Sequence, residues 1–159
     1  MQYQIYYIDQ EILKILNKDA RFPYSEIAKT LGISNSLVHQ RVKKMIETGI
    51  VESTTVKFHA KSMGFLTKSY TGIRLKEARY AESVMEELKK IEEITECNFV
   101  SGNYAIFILI FARDNEDLRR ILYQQVHLIE GVAGTDTFIS FDTCFERSIP
   151  IKAVKPNES

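Results

Sequence analysis

Residues 24–44 read YSEIAKTLGISNSLVHQRVKK, and this stretch decides the fold of the N-terminal third of the chain. After Glu26 no acid follows until Glu47, so residues 27–46 carry Lys29, Arg41, Lys43 and Lys44 with no carboxylate among them. The 159-residue chain as a whole is neutral, with 21 basic and 21 acidic side chains. A cationic stretch inside a neutral chain points to one local polyanionic contact, not to a surface that is basic throughout.

The stretch punctuates itself as two helices. Pro23 can open the first and Gly32 close it, with Ile27, Ala28 and Leu31 inward. Ser34 is a favoured N-cap for the second, which ends at Gly49 and turns Val38, Val42 and Met45 to one face. Working outward, IDQEILKILNKD places Ile8, Ile12, Leu13, Ile15 and Leu16 on a helical stripe that Asp9 can cap. Three helices with a turn of about three residues before the third form a helix-turn-helix. Ala28 is small where two helices approach, Gly32 suits a positive φ, and Val38 closes the core.

On the third helix Asn35, Ser36, His39 and Gln40 project outward, and amide, hydroxyl and imidazole groups can read base edges in a major groove. Arg41, Lys43 and Lys44 suit phosphates, as do the free N–H groups at the helix N-terminus. Carboxylates on such a surface would repel DNA, which accounts for their absence. The competing reading is a small helical bundle whose third helix is merely solvated; the caps, the Ala–Gly–Val spacing and the outward polar set favour DNA contact.

Beyond this unit, IVESTTVKF has the β-branched bias of a strand, read as a short wing and connector. From Leu66 the pattern becomes strand (LTKSYTGIRL), helix (ARYAESVMEELKKI), two strands (ITECNFVSG, YAIFILIFA), helix (NEDLRRILYQQVHLI) and strand (VAGTDTFISFDTCF). That order is βαββαβ, a ferredoxin-like αβ-sandwich, so the whole is an α+β chain. The expected division is 1–60 for a helix-turn-helix domain with its connector, 61–148 for the ferredoxin-like domain, and 149–159 for an extended C-terminal tail bearing Pro150 and Pro156.

The strand AIFILIFA (105–112) is apolar on both faces. Crossovers of one hand put both helices on one side of a βαββαβ sheet, leaving the other side for something else to cover. The economical cover is a second copy of the chain, and Ile106, Ile108 and Ile110 are assigned to that dimer interface; the alternative is an N-terminal domain folded back over the sheet.

Other classes find little support. Neither a membrane-length apolar run nor a signal-peptide pattern is present, and two cysteines make no disulfide framework, so a cytoplasmic location is expected. Cys97 and Cys144, expected on the second and fourth strands at opposite sheet edges, read as free thiols. His39, His59 and His127 lack metal-ligand spacing, and no phosphate loop or nucleophile–base pair is evident, so no metal, cofactor or catalytic residue is assigned.

The motifs IDQEILKIL, ARFPYSEIAKTLGIS, VHQRVKKMIETGIV, SGNYAIFILI and IEGVAGTDTFIS, in this order, resemble the Lrp/AsnC (feast/famine) family of prokaryotic transcriptional regulators from about Ile8 to Phe145. The resemblance implies a homodimer paired sheet to sheet, tetramers or octamers in many members, and an amino acid or related small-molecule effector bound between protomers. It places candidate effector-binding residues at Gly102, Asn103, Tyr104 and Ala105, and at Thr135 and Thr137 of a Thr-x-Thr pattern. The family loop usually reads Gly-Asp-Tyr-Asp; here both acids are missing, which leaves a different effector, a neutral one, or none. The expected partners are double-stranded DNA and the chain itself. Two alternatives stand beside a sequence-specific regulator: a sirohaem-decarboxylase-like enzyme of the same architecture, and a protein that coats DNA with little sequence preference.

Overall fold

The computed structural model describes residues 4–152, arranged as two compact units. One unit runs to Val56 and also takes in the segment from Phe145 on; the other is Lys57–Cys144.

The first unit holds α1 (Tyr7–Lys18), α2 (Tyr24–Leu31) and α3 (Asn35–Glu47). Ile12, Ile27, Ala28, Val38, Val42 and Met45 meet in one buried cluster, so each helix contributes its apolar stripe. The ends of α2 and α3 are closed alike. Gly32 has φ 65°, and the Ile33 N–H reaches back to the Ala28 carbonyl at 3.0 Å. Gly49 has φ 74°, and the Ile50 N–H reaches the Met45 carbonyl at 2.9 Å. Both are Schellman closures, which need a left-handed residue just past the helix. Asp9 is not the N-cap of α1. Tyr6 holds that position, and the Asp9 carboxylate accepts the Tyr6 N–H at 2.9 Å from within the first turn. An acid there satisfies one of the free amide donors of the helix start.

The expected wing strand over 50–58 is not formed: the chain from Glu52 to His59 is irregular. Its β-branched residues favour an extended backbone, yet a strand also needs a partner for its amides, and none pairs with it among the described residues. The tail expected over 149–159 is irregular through Lys152, and its remainder lies outside the described residues.

The second unit contains β1 (Thr67–Leu75), α4 (Ala81–Leu88), β2 (Ile94–Phe99), β3 (Ile106–Ala112), α5 (Asn115–Gln124) and β4 (Val132–Ser140). The strands are ordered β2-β3-β1-β4 with every neighbouring pair antiparallel, the ferredoxin-like topology expected from βαββαβ. β4 stops at Ser140, five residues short of its expected end at Phe145, because Ser140 pairs with Lys68 and β1 begins one residue earlier, at Thr67. Cys144 therefore lies beyond β4 and not on it; Cys97 is on β2, and both thiols are free and exposed.

The assignment of Ile106, Ile108 and Ile110 to a dimer interface is overturned. These side chains are 0%, 1% and 0% exposed and pack with Val84 and Leu88 of α4 and Leu118 and Ile121 of α5, inside the chain's own core. Phe107, Leu109 and Phe111 alternate to the opposite side. The face away from the helices thus carries Phe107, Leu109 and Phe111 of β3, Tyr70 of β1 and Phe138 of β4; Tyr70 pairs across with both Leu109 and Phe138. Replacing Ile108 by Ala is expected to lower the unfolding free energy by about 2–5 kcal/mol through transfer and cavity terms. Urea unfolding at fixed protein concentration measures this; a loss under about 1 kcal/mol would place the side chain outside the core.

Candidate nucleic-acid interface

α3 presents its polar side as one continuous exposed strip. Ser34 caps the helix, its Oγ accepting the Leu37 N–H at 3.2 Å and sharing a 3.0 Å hydrogen bond with Ser36 Oγ. Asn35, Ser36, His39, Gln40, Lys43 and Lys44 are all exposed. Lys43 lies 3.9 Å from Glu47 in a loose, exposed i,i+4 pair, a contact that costs little to exchange for a phosphate. The His39 ring meets Tyr24, the first residue of α2, at a centroid distance of 4.8 Å and an interplanar angle of 70°.

Arg41 departs from the expected phosphate role. Its guanidinium turns back toward α1, with Nη1 3.7 Å from the Asp9 carboxylate and the Tyr6 ring centroid 5.1 Å from Cζ. Asp9 is fully buried and Arg41 is 30% exposed, so the pair supports the packing of α3 on α1. A carboxylate inside the helical core needs a cation close by, and Arg41 is that cation.

The candidate effector residues do not come together within the chain. Gly102, with φ 122°, and exposed Asn103 form the turn before β3, and the Ala105 N–H donates to the Ile73 carbonyl at 3.0 Å. Tyr104 lies over Gly72 on the helix-free sheet face, so close that a Cβ at Gly72 would fall 2.6 Å from its ring. Its hydroxyl donates to Asp136 Oδ2 at 3.0 Å, and Arg74 pairs with the same carboxylate oxygen. The Arg74 guanidinium, then the Tyr104 hydroxyl, hold the Asp136 carboxyl below the usual carboxylate range; the same hydrogen bonds raise Arg74 and Tyr104. Thr135 and Thr137 lie on the helix-covered face instead, where Thr135 shares a 2.7 Å hydrogen bond with His127 Nε2 and Thr137 a 2.9 Å one with Thr71. Arg74, Asp136 and His127 were missed in the sequence; the alternation around Asp136, between two threonines, carried the signal that it faces the other way.

Among the described residues no group of three His, Cys, Asp or Glu side chains could hold a metal ion, and no helix is long and apolar enough to cross a membrane. A helix-turn-helix with an exposed, acid-poor third helix, joined in one chain to a ferredoxin-like sheet, defines a two-domain DNA-binding regulator. Residues 7–52 match the winged helix-turn-helix DNA-binding family and residues 68–150 match the Lrp/AsnC ligand binding domain. The chain is 36% identical to the regulatory protein AsnC of Haemophilus influenzae over 142 residues, covering 89% of this chain and 95% of that one. It is 42% identical to the transcriptional regulator LrpA of Pyrococcus horikoshii over 124 residues, 78% and 87% of the two chains. The structure of AsnC from Escherichia coli superposes with a TM-score of 0.89 at 32% identity, covering 92% of this chain and 99% of that one. The chain belongs to the Lrp/AsnC family of transcriptional regulators.

The two kinds of cation on α3 predict two kinds of mutant. Arg41→Ala is expected to lower stability by about 1–3 kcal/mol, because a buried carboxylate loses its neighbouring cation. Lys43→Ala and Lys44→Ala should leave the melting temperature unchanged and each reduce the salt slope of DNA binding by about one unit. Melting curves and binding titrations over a salt series separate the two. Equal melting temperatures for the Arg41 and Lys43 variants would refute the structural role of Arg41.

Proposed function

We propose that the protein binds DNA sequence-specifically as a homodimer and regulates transcription in response to a small molecule. The carrying observation is the exposed strip on α3, where Asn35, Ser36, His39 and Gln40 face outward beside Lys43 and Lys44. The first group has the donors and acceptors to read base edges; the second fits phosphates. This domain, residues 1–60, docks α3 in a major groove, and residues 61–148 provide dimerisation and effector response.

The dimer forms through the helix-free sheet face. On this face Tyr70 and Phe138 are exposed and Phe107 and Phe111 half-buried beside buried Leu109, an apolar surface of a kind that an isolated chain leaves exposed only at a cost. A second copy offers the same surface, and an isologous pairing of two such sheets buries both. Two recognition helices then address half-sites about one helical turn apart. The match to a ligand binding domain supports a small-molecule effector, with an amino acid or a relative of one as the class, near the loop Gly102–Ala105. The protein acts in the cytoplasm, without catalysis.

Selection of bound duplexes from sheared genomic DNA at near-physiological salt tests this. A palindromic motif with half-sites one turn apart is the expected outcome; uniform recovery would indicate a coating protein. For the dimer, Tyr70→Ser with Phe138→Ser, both exposed on this face, should yield monomers in sedimentation velocity while the helix content stays that of the parent. An unchanged sedimentation profile refutes pairing through this face.

A further inference from the structure

The edge contact between Tyr24 and His39 joins the two helices of the helix-turn-helix outside their common core. Tyr24 is fixed from behind. It is the first residue of α2, follows Pro23 at φ −61°, is half-buried, and packs on the cluster that contains Ile27 and Val38. His39 stands on the exposed strip of α3, one turn past the N-terminus. An exposed imidazole has several rotamers, and freezing one on binding removes affinity that a pre-ordered ring retains. A ring already docked on an aromatic edge starts in one orientation, and reading a base edge depends on orientation.

We infer that Tyr24 is a positioning residue for base recognition: it sets the His39 imidazole, and so sharpens discrimination at the one base pair that His39 reads, without touching that base pair itself. The inference rests on the assignment of α3 as the recognition helix. The contact is aromatic, so the ring of Tyr24 carries the effect and its hydroxyl does not. A T-shaped pair of this kind corresponds to roughly a two- to tenfold change in a binding ratio.

The test uses the full chain and the duplex motif obtained by selection, with every single-base variant of one half-site titrated at fixed salt. The readout is the ratio of affinities between the parent duplex and each variant, measured on the same protein sample. Loss of some protein to unfolding cancels in that ratio, and Tyr24→Met stands in if Tyr24→Leu is too unstable to purify. His39→Ala should flatten discrimination at one base pair. Tyr24→Leu should reduce it at that same base pair, roughly two- to tenfold, and leave the other positions alone. Tyr24→Phe should match the parent. In the His39→Ala background, Tyr24→Leu should add nothing at that position, because the residue it orients is gone.

A uniform loss of affinity across all duplexes in Tyr24→Leu overturns the inference, since that marks a phosphate or packing role. Equal losses in Tyr24→Phe and Tyr24→Leu overturn it in favour of the hydroxyl. Additive effects in the double variant overturn it as well. If His39→Ala changes no base preference, the inference fails with His39; Gln40→Ala, scanned beside it, then shows whether α3 still reads bases, which separates this failure from failure of the recognition helix itself.

Discussion

The second unit depends on one constraint: α4 and α5 both pack on the same side of a four-stranded sheet. The side chains that meet them, Ile73, Ile106, Ile108 and Ile110 among others, form a sealed core. Everything of interest on the sheet follows from what this leaves over. The opposite face keeps Phe107, Leu109 and Phe111, with Tyr70 and Phe138 across the pairing strands; Tyr70 and Phe138 are exposed there, Phe107 and Phe111 half-buried and Leu109 buried. Lys68, Glu96, Asn98 and Ser140 add polar groups to that face, and beside Phe107 lies the constellation of Tyr104, Arg74 and Asp136, in which each polar group is another's partner. A polar group in an apolar surface is tolerated when it brings its hydrogen bonds with it. Gly72 makes room for the arrangement, since any side chain there would push Tyr104 off the sheet.

The sequence carried the topology of this unit but not the facing of its central strand, and the reason is physical. Alternation tells inside from outside only when the two sets of side chains differ in polarity. Along β3 they do not: three isoleucines alternate with Phe107, Leu109 and Phe111, so the period of two is present without a sign. The sign came from the neighbours. Tyr70 and Lys68 of β1 pair with Leu109 and Phe111, whereas buried Ser69 and Thr71 pair with Ile110 and Ile108. A strand whose polar-looking residues point inward misleads any reading that sets polar equal to exposed. The hydroxyls of Thr67 and Thr71 are accommodated by Asn115 and Thr137, partners 48 and 66 residues away that no local pattern reveals. The same non-local dependence explains the wing and the short β4: extended preference is local, but a strand ends where its partner does.

The helix-turn-helix was far more legible because its determinants are local. Caps lie within a few residues of the helices they close, and the two left-handed glycines sit where the chain must turn. Arg41 is the instructive exception. Grouped by charge it belongs with Lys43 and Lys44, but grouped by helical position it does not. It stands three residues after Val38 and four before Met45, on the same stripe as the buried core of α3. Asn35, Ser36, His39, Gln40, Lys43 and Lys44 occupy the remaining face, all of them exposed. A cation on an inward stripe requires an anion on the facing helix, and Asp9, fully buried in α1, is placed to meet it. Helical phase therefore divides α3 before charge does: what shares the stripe of Val38 and Met45 holds the unit together, and what lies off it is free to meet DNA.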